Sequence, residues 1–476
     1  MSKPDLKAML EKAYQIGQFL VEKAEESSTF LILTHFDADG LAAGSILAAS
    51  LIRLNAPFHI RAVNDLNEKL IEDALKIRHE ILVFSELGSG YLDVIENKCS
   101  TGKTVIIDHH PVVGRADKFP YHINPCSYGF DGSKDISGAG VMYLVAKEMR
   151  GDNTDLSVLA VVGALGDTQD RNERRRLDGL NALIVEEASN SGFLKEGIDL
   201  ILFGRETRPL HKALASTTSP FLPGLSGRED RCLSLLSSAN IDLKKGDRWR
   251  TVSDLTDEEK RRLISRIVEH LSAEGRELEA ARSLIGSVYT LLREEPGTIL
   301  RDGREYATAL NACGRMGKHG LGISACLGDR ESILQVEDVL KEYRATLAGY
   351  MELIIENRSL TRETKHMVVV RGENSIDERM SGAVSSMLSI SGHHDKSKVL
   401  LVVTRAEDGS AKVSARIREN LKNSPIDLGK VMYEASARND GIGGGHKVAA
   451  GAKVPIEKLE PFLKDVEDEL ARCLGK

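Results

Sequence analysis

Four short apolar runs recur through the first quarter of the chain: Phe30-Leu31-Ile32-Leu33, Phe58 to Val63, Ile81-Leu82-Val83-Phe84 and Thr104-Val105-Ile106-Ile107. Between the first two lies an Ala-rich apolar stretch, Leu41 to Leu54, that predicts a helix. Continuous apolar runs of strand length, separated by helical segments, predict a parallel sheet covered on both faces. Helices are predicted next from about Gly138 to Met149, and from near Asp155 into Gly166-Asp167-Thr168-Gln169-Asp170. The pattern then breaks from roughly 195 to 335, where Pro209, Pro220 and Pro223 punctuate a loop-rich stretch. Asp254 to Lys260 reads there as a helix start with acidic residues in its first turn. A long helix, about Val336 to Arg358, leads to renewed strand runs at Met367–Val370, Val399–Val403 and Lys412–Ile417, and then to a glycine-rich loop, Gly441 to His446. The expected fold class is therefore α/β: a parallel-sheet domain over 1–195, a mostly helical insertion over 196–335, a linker helix over 336–360, and a smaller α/β domain over 361–476.

A length of 476 residues exceeds one ordinary core, in keeping with several domains. The longest uncharged apolar stretch, Leu156 to Gly166, falls well short of the roughly 20 residues that span a bilayer, so no membrane association is expected. The N-terminus lacks an apolar secretory core, and a cytoplasmic location is the expectation. Six cysteines without any CxxC pairing argue against a zinc ribbon and a disulfide framework. A net charge of −7 argues against a protein that coats duplex DNA; any nucleic-acid contact must come from a local basic groove, which suits a short single strand.

In a parallel sheet the chemistry gathers in the loops after the strands. Those loops are His35-Phe36-Asp37-Ala38-Asp39-Gly40, Ser85-Glu86-Leu87-Gly88-Ser89 and Asp108-His109-His110-Pro111, with Gly166-Asp167 after a helix. Converging, they offer His35, Asp37, Asp39, Glu86, Asp108, His109, His110 and Asp167 as candidate ligands. Mixed carboxylate and imidazole donors suit Mn²⁺, Co²⁺ or Zn²⁺ better than Mg²⁺. Eight such groups exceed the need of one ion, whereas two ions about 3.5–4 Å apart would suit in-line attack on a phosphodiester. Each motif alone has a plainer reading, because Asp-x-Asp-Gly is commonly a turn and Gly-Asp after a helix says little; their combination at the sheet's functional edge carries the argument. His393-His394, with no apolar run feeding it, is read as surface. Arg171, Arg174, Arg175 and Arg176 form a basic run beyond Asp167, either a solvated face or candidate nucleic-acid backbone contacts. Trp249, between Arg248 and Arg250, could stack a base or anchor packing.

His-x-Asp-x-Asp-Gly, the Leu-Gly-Ser loop, Asp-His-His and Gly-Asp resemble the four motifs of the DHH phosphoesterases, and Gly-Gly-Gly-His resembles that of their associated C-terminal domain. The stretch Glu305 to Arg315, followed by Gly320-Leu321-Gly322, is similar to the archaeal RecJ-like subgroup. The resemblance implies a metal-dependent phosphodiesterase, specifically a 5′ to 3′ single-strand exonuclease on DNA and also RNA, with a cleft between the two α/β domains. It implies two divalent ions, Mn²⁺ foremost and Mg²⁺ or Co²⁺ as substitutes, held by His35, Asp37, Asp39, Glu86, His109 and Asp167, with Glu86 as the bridge. His110 would face the substrate as an acid, with Asp108 beside it in the catalytic set. Arg416, Gly443, Gly444, Gly445 and His446 would hold substrate phosphate. The family pattern has Asp where this chain has Glu86, which lengthens the carboxylate's reach by about 1.5 Å. Two rival readings accompany this one: a phosphodiesterase for short oligonucleotides or cyclic dinucleotides, and an inactive replisome-associated scaffold of the same lineage. Partnership with replisome proteins is compatible with the active reading.

Overall fold

The computed structural model describes residues 4–64, 66–149, 152–217, 222–273, 283–390, 395–421 and 424–475. The chain divides into two compact units, residues 1–340 and 341–476.

The first unit is built on β1 (Phe30–His35), β2 (Phe58–Val63), β3 (Ile81–Ser85), β4 (Thr104–Ile107) and β5 (Tyr121–Ile123), in the order β2-β1-β3-β4-β5 and all parallel. The predicted parallel sheet is present, with β5 as an additional edge strand too short to stand out in the sequence. One face is covered by α1 (Leu6–Glu25), α2 (Ala38–Arg53), α5 (Gly138–Lys147) and, packed on α2, α6 (Ser157–Gly166). The other face meets α3 (Glu68–Leu75) and α4 (Leu92–Lys98), where Leu31, Leu33, Leu82, Phe84 and Ile106 pack with Ile71, Leu92 and Ile95 in one apolar cluster. Side chains alternate along a strand, so a run apolar at every position must be buried on both sides. Each such leucine or phenylalanine contributes about 1.5–3 kcal/mol on burial. The helix predicted from Leu41 begins instead at Ala38, because Asp37 caps it: its Oδ1 accepts the Gly40 N–H at 3.0 Å. Asp39 therefore lies in the first helical turn rather than in a loop.

After α7 (Gly179–Asn190), strand β6 (Leu194–Leu200) pairs antiparallel with β9 (Ile285–Leu291), Leu200 opposite Ile285. Between them run α8 (Leu210–Ser216), α9 (Glu229–Ser238), the hairpin β7 (Lys244–Lys245) and β8 (Arg248–Trp249), and α10 (Asp257–Ala273). These share a core of their own, including Leu210, Leu214, Cys232, Leu236, Leu263 and Ile267. Next, α11 (Gly303–Arg315) packs on α6 and α2, and α12 (His319–Cys326) on α2. Helix α13 (Arg330–Glu356) carries the chain across the boundary between the units.

The second unit is a six-stranded sheet in the order β10 (Thr361–Glu363), β11 (Met367–Arg371), β12 (Val399–Arg405), β13 (Ala411–Arg416), β15 (Ala449–Val454) and β14 (Ile442–His446). Only β11 and β12 pair in parallel. Helix α14 (Ser381–Ile390) packs on β12 and β13. Helices α15 (Leu428–Ala437) and α16 (Leu459–Cys473) bury Met432, Phe462 and Val466 against Leu401 and Val413. The glycine-rich segment predicted as a loop is the edge strand β14. Glycines have low strand preference, but here packing requires one: a Cβ on Gly443 would stand 2.6 Å from the Met432 carbonyl oxygen of α15.

Candidate metal centre

The loops after β1, β3 and β4 and the end of α6 bring their donors together. Three groups have ligand atoms within 4.8 Å of one another: His35, Asp37 and Glu86; Asp39, His109 and Asp167; and Glu86, His109 and His110. Glu86 joins them. Its Oε2 lies 3.1 Å from His35 Nδ1, itself 3.1 Å from Asp37 Oδ2, while its Oε1 lies 3.5 Å from His109 Nε2 and 3.7 Å from His110 Nδ1. His109 Nε2 is also 3.4 Å from Asp167 Oδ2 and 3.7 Å from Asp39 Oδ2.

Local structure fixes each donor. His109 Nδ1 lies 2.6 Å from the Gly132 carbonyl, a contact that needs a proton there and leaves Nε2 as the lone-pair nitrogen facing the carboxylates. Asp39 accepts the N–H groups of Gly138 (2.6 Å) and Ala139 (3.0 Å) at the start of α5. That approach is possible because a Cβ on Gly138 would meet Glu86 Cγ at 2.4 Å, and one on Gly163 would meet Asp39 Oδ1 at 2.3 Å. Asp108 stands outside the three groups. Its carboxylate accepts the N–H groups of Ser89, His109 and His110 and contacts His110 Nδ1 at 2.9 Å, orienting that ring. Behind it, Asn124 reaches both Ser89 Oγ (2.9 Å) and the His110 carbonyl (2.9 Å). Gly132, Asn124 and the α5 N-terminus were not singled out from the sequence; only Ser137-Gly138, a capping residue before a helix, signalled one of them.

The electrostatics call for cations. Burial, with the charges of Glu86 and Asp37, pushes Asp39 up to about 6. Burial and the neighbouring Asp39 push Asp167 well above the carboxylate range. Burial disfavours protonated His35 and His109, yet the surrounding carboxylates raise both. His35 Nδ1, Glu86 Oε2 and His109 Nε2 are buried with no hydrogen-bond partner. Unpartnered buried donors and acceptors in an anionic cluster are costly, and divalent metal would relieve that cost. The carboxylate and imidazole donors present fit divalent metal.

Of the basic run beyond Asp167, Arg171 and Arg174 are exposed. Arg176 is committed to Glu196 through contacts of 2.9 and 3.1 Å, and Arg175 is half-buried. In the second unit Arg416, Ala449 and His446 are paired across β13, β15 and β14, so Arg416 and His446 share one face of the sheet. Arg416 donates to Ser386 Oγ at 3.1 Å and to the Ala415 carbonyl at 2.9 Å. Gly443, Gly444 and Gly445 precede His446 on the edge strand. Trp249 stays 42% exposed, with its ring 5.0 Å from that of His211 and the Lys244 ammonium 4.9 Å from its centroid. His393-His394 lies outside the described residues.

Residues 29–165 match the DHH family, N-terminal domain; residues 202–285 match the DHH-CID domain, and residues 365–472 the DHHA1 domain. The chain is 31% identical to the uncharacterized protein MJ0831 of Methanocaldococcus jannaschii over 457 residues, 94% of each chain. Its fold is similar to that of CDC45 from Entamoeba histolytica (TM-score 0.61, 12% identity, 98% of this chain and 99% of the other). It is also similar to RecJ from Thermus thermophilus in complex with Mn²⁺ (TM-score 0.56, 16% identity), where the match covers 97% of this chain and 55% of that one. The present chain thus spans about half the length of the Thermus protein. No described helix is long and apolar enough to cross a membrane.

Proposed function

The chain belongs to the DHH family and has a RecJ-like fold, and from that premise we propose that it is a metal-dependent phosphodiesterase that removes nucleotides from an end of single-stranded DNA or RNA, in the 5′ to 3′ direction. The observation that carries this reading is Glu86, whose two carboxylate oxygens face separate donor groups. In this proposal His35, Asp37 and Glu86 hold one divalent ion, and Asp39, His109 and Asp167 hold the other, with Glu86 shared. Mn²⁺ is the preferred ion, because the donor set mixes imidazole with carboxylate. Bound metal supplies Lewis acidity to the phosphate oxygens and lowers the pKa of an attacking water.

The chain's own residues supply positioning and protons. Asp108 fixes the ring of His110, which is half exposed beside Glu86 and serves as the acid toward the departing oxygen. Arg416 and His446 bind phosphate, assisted by backbone N–H groups along Gly443 to Gly445. Arg171 and Arg174 steer the strand's backbone. Three domains, 1–195, 196–335 and 361–476 with a linker helix over 336–360, divide this work. A role beside replisome proteins is compatible with the activity. Retention of a carboxylate or imidazole at every ligand position favours an active enzyme over a scaffold.

The test is digestion of end-labelled DNA and RNA strands by the full-length protein with Mn²⁺, with a dinucleotide as the competing substrate. Stepwise loss from the 5′ end of a long strand, faster than dinucleotide cleavage, is the expected result. Faster turnover of the dinucleotide would reassign the protein to short substrates. No hydrolysis of any substrate with Mn²⁺, Mg²⁺ or Co²⁺ would reject the enzyme reading.

A further inference from the structure

The corner between α11 and α12 rests on the turn from β1 into α2, the stretch that carries His35, Asp37 and Asp39. Asn311 Oδ1 accepts the Ala38 N–H at 3.2 Å. A Cβ on Gly314 would stand 2.0 Å from the Phe36 carbonyl oxygen, so this helix end meets the loop with no side chain between them. Rings continue the contact outward from the metal ligands. The His35 and Phe36 centroids are 4.7 Å apart at 77°, and those of Phe36 and His319 are 6.4 Å apart at 66°. His319 Nε2 lies 3.1 Å from the Gly314 carbonyl, which restrains its ring. Phe36 and His319 are both half-buried, and the same corner carries Arg315 and the exposed Lys318.

Phe36 has no donor atom for a metal, yet it stands between two candidate ligands. A phenylalanine kept only for packing is usually buried outright, and leaving part of the ring in water forfeits burial energy. A partly open ring, braced by an imidazole, is the kind of surface on which a nucleobase stacks.

We propose that Phe36 and His319 form a seat for the base of the nucleotide whose phosphate reaches the carboxylate–imidazole cluster. The inference rests on the nuclease reading and deepens it: the site selects a phosphodiester that bears a nucleobase, and a base-free polyphosphate gains nothing from the rings. Phe36 thereby couples the first motif to substrate choice as well as to metal binding.

The experiment compares two single strands that are identical except that the terminal nucleotide of one is an abasic tetrahydrofuran. With the full-length protein and Mn²⁺, wild type should cleave the intact end at least about tenfold more efficiently, within the range expected for stacking one base. Phe36→Leu and His319→Ala should each narrow that ratio by about threefold or more, chiefly through KM, and Phe36→Tyr should restore it. Equal losses on both strands, or a wild-type enzyme indifferent to the missing base, would overturn the base seat while leaving the nuclease reading intact. If wild type cleaves neither strand, the nuclease reading falls and the inference falls with it.

Discussion

At Glu86 the backbone takes a φ of +60°, a left-handed conformation that costs a non-glycine residue on the order of 1 kcal/mol or more. The Glu86 N–H is held by the Ile107 carbonyl at 2.8 Å, and its carboxylate is delivered between the two donor groups. Asp, the usual family residue, tolerates that backbone better but reaches about 1.5 Å less far. Glu86→Gln should therefore nearly abolish turnover and reduce the number of ions bound, because two close cations repel strongly without a shared anion. Glu86→Asp should keep substantial activity with an altered Mn²⁺ to Mg²⁺ ratio. Turnover measured beside calorimetric metal titration checks both; wild-type turnover and two bound ions in Glu86→Gln would make Glu86 a bystander. Most of this centre was legible in the sequence, because each donor directly follows an apolar strand run or ends an apolar helix. What could not be read was support from main-chain groups, such as the Gly132 carbonyl behind His109, since a backbone oxygen leaves no mark in residue type.

Among the elements, β14 differs most from what its residues suggest. Gly443 to His446 read as a loop because local preference is weak there and the partner strand and helix decide the outcome. The pairing that makes β14 a strand also aligns His446 with Arg416. Arg416→Ala and His446→Ala should each weaken strand binding by about 1.5–3 kcal/mol, the worth of a charge-assisted contact, while calorimetry shows metal binding intact. Loss of metal with normal strand binding would reverse that division of labour. On α11, Glu305 is buried and accepts the Glu206 N–H and the Thr207 hydroxyl, each at 2.5 Å. Burial first, and then the charge of Asp302, push its carboxyl up to about 7. The folded state thus holds this proton more tightly than the unfolded chain, so the group's contribution to stability declines as pH rises from about 4.5 to about 7. Glu305→Gln should flatten that decline, gaining on wild type by on the order of 2 kcal/mol between pH 5 and pH 8. Urea unfolding at the two pH values checks this, and an unchanged difference would place the proton elsewhere.

For the whole molecule, the proposed ligands all belong to the first compact unit. Metal that binds the folded state stabilises it in proportion to the logarithm of its concentration over the dissociation constant. Mn²⁺ should therefore raise the unfolding temperature of that unit, and the gain should vanish in an Asp39→Ala, Asp167→Ala variant. Scanning calorimetry with and without chelator reads the shift, and an equal shift in the double variant would put the ion outside this cluster. The layout of two α/β regions flanking a helical insertion was readable from the apolar runs. The β6–β9 pairing was not, because its partners, from Leu194 with Leu291 to Leu200 with Ile285, lie far apart in sequence and neither strand announces the other.

That pairing has a consequence for how such a chain can change over time. Leu200 and Ile285 stand opposite one another, so everything between them leaves and re-enters through one doorway, and it carries its own apolar core. A segment hung in this way can be lengthened, pared down or exchanged without redrawing the parallel sheet, since lengthening a loop costs only about 0.6 kcal/mol per doubling. The parallel sheet and the inserted segment are thereby each left free to drift at their own pace.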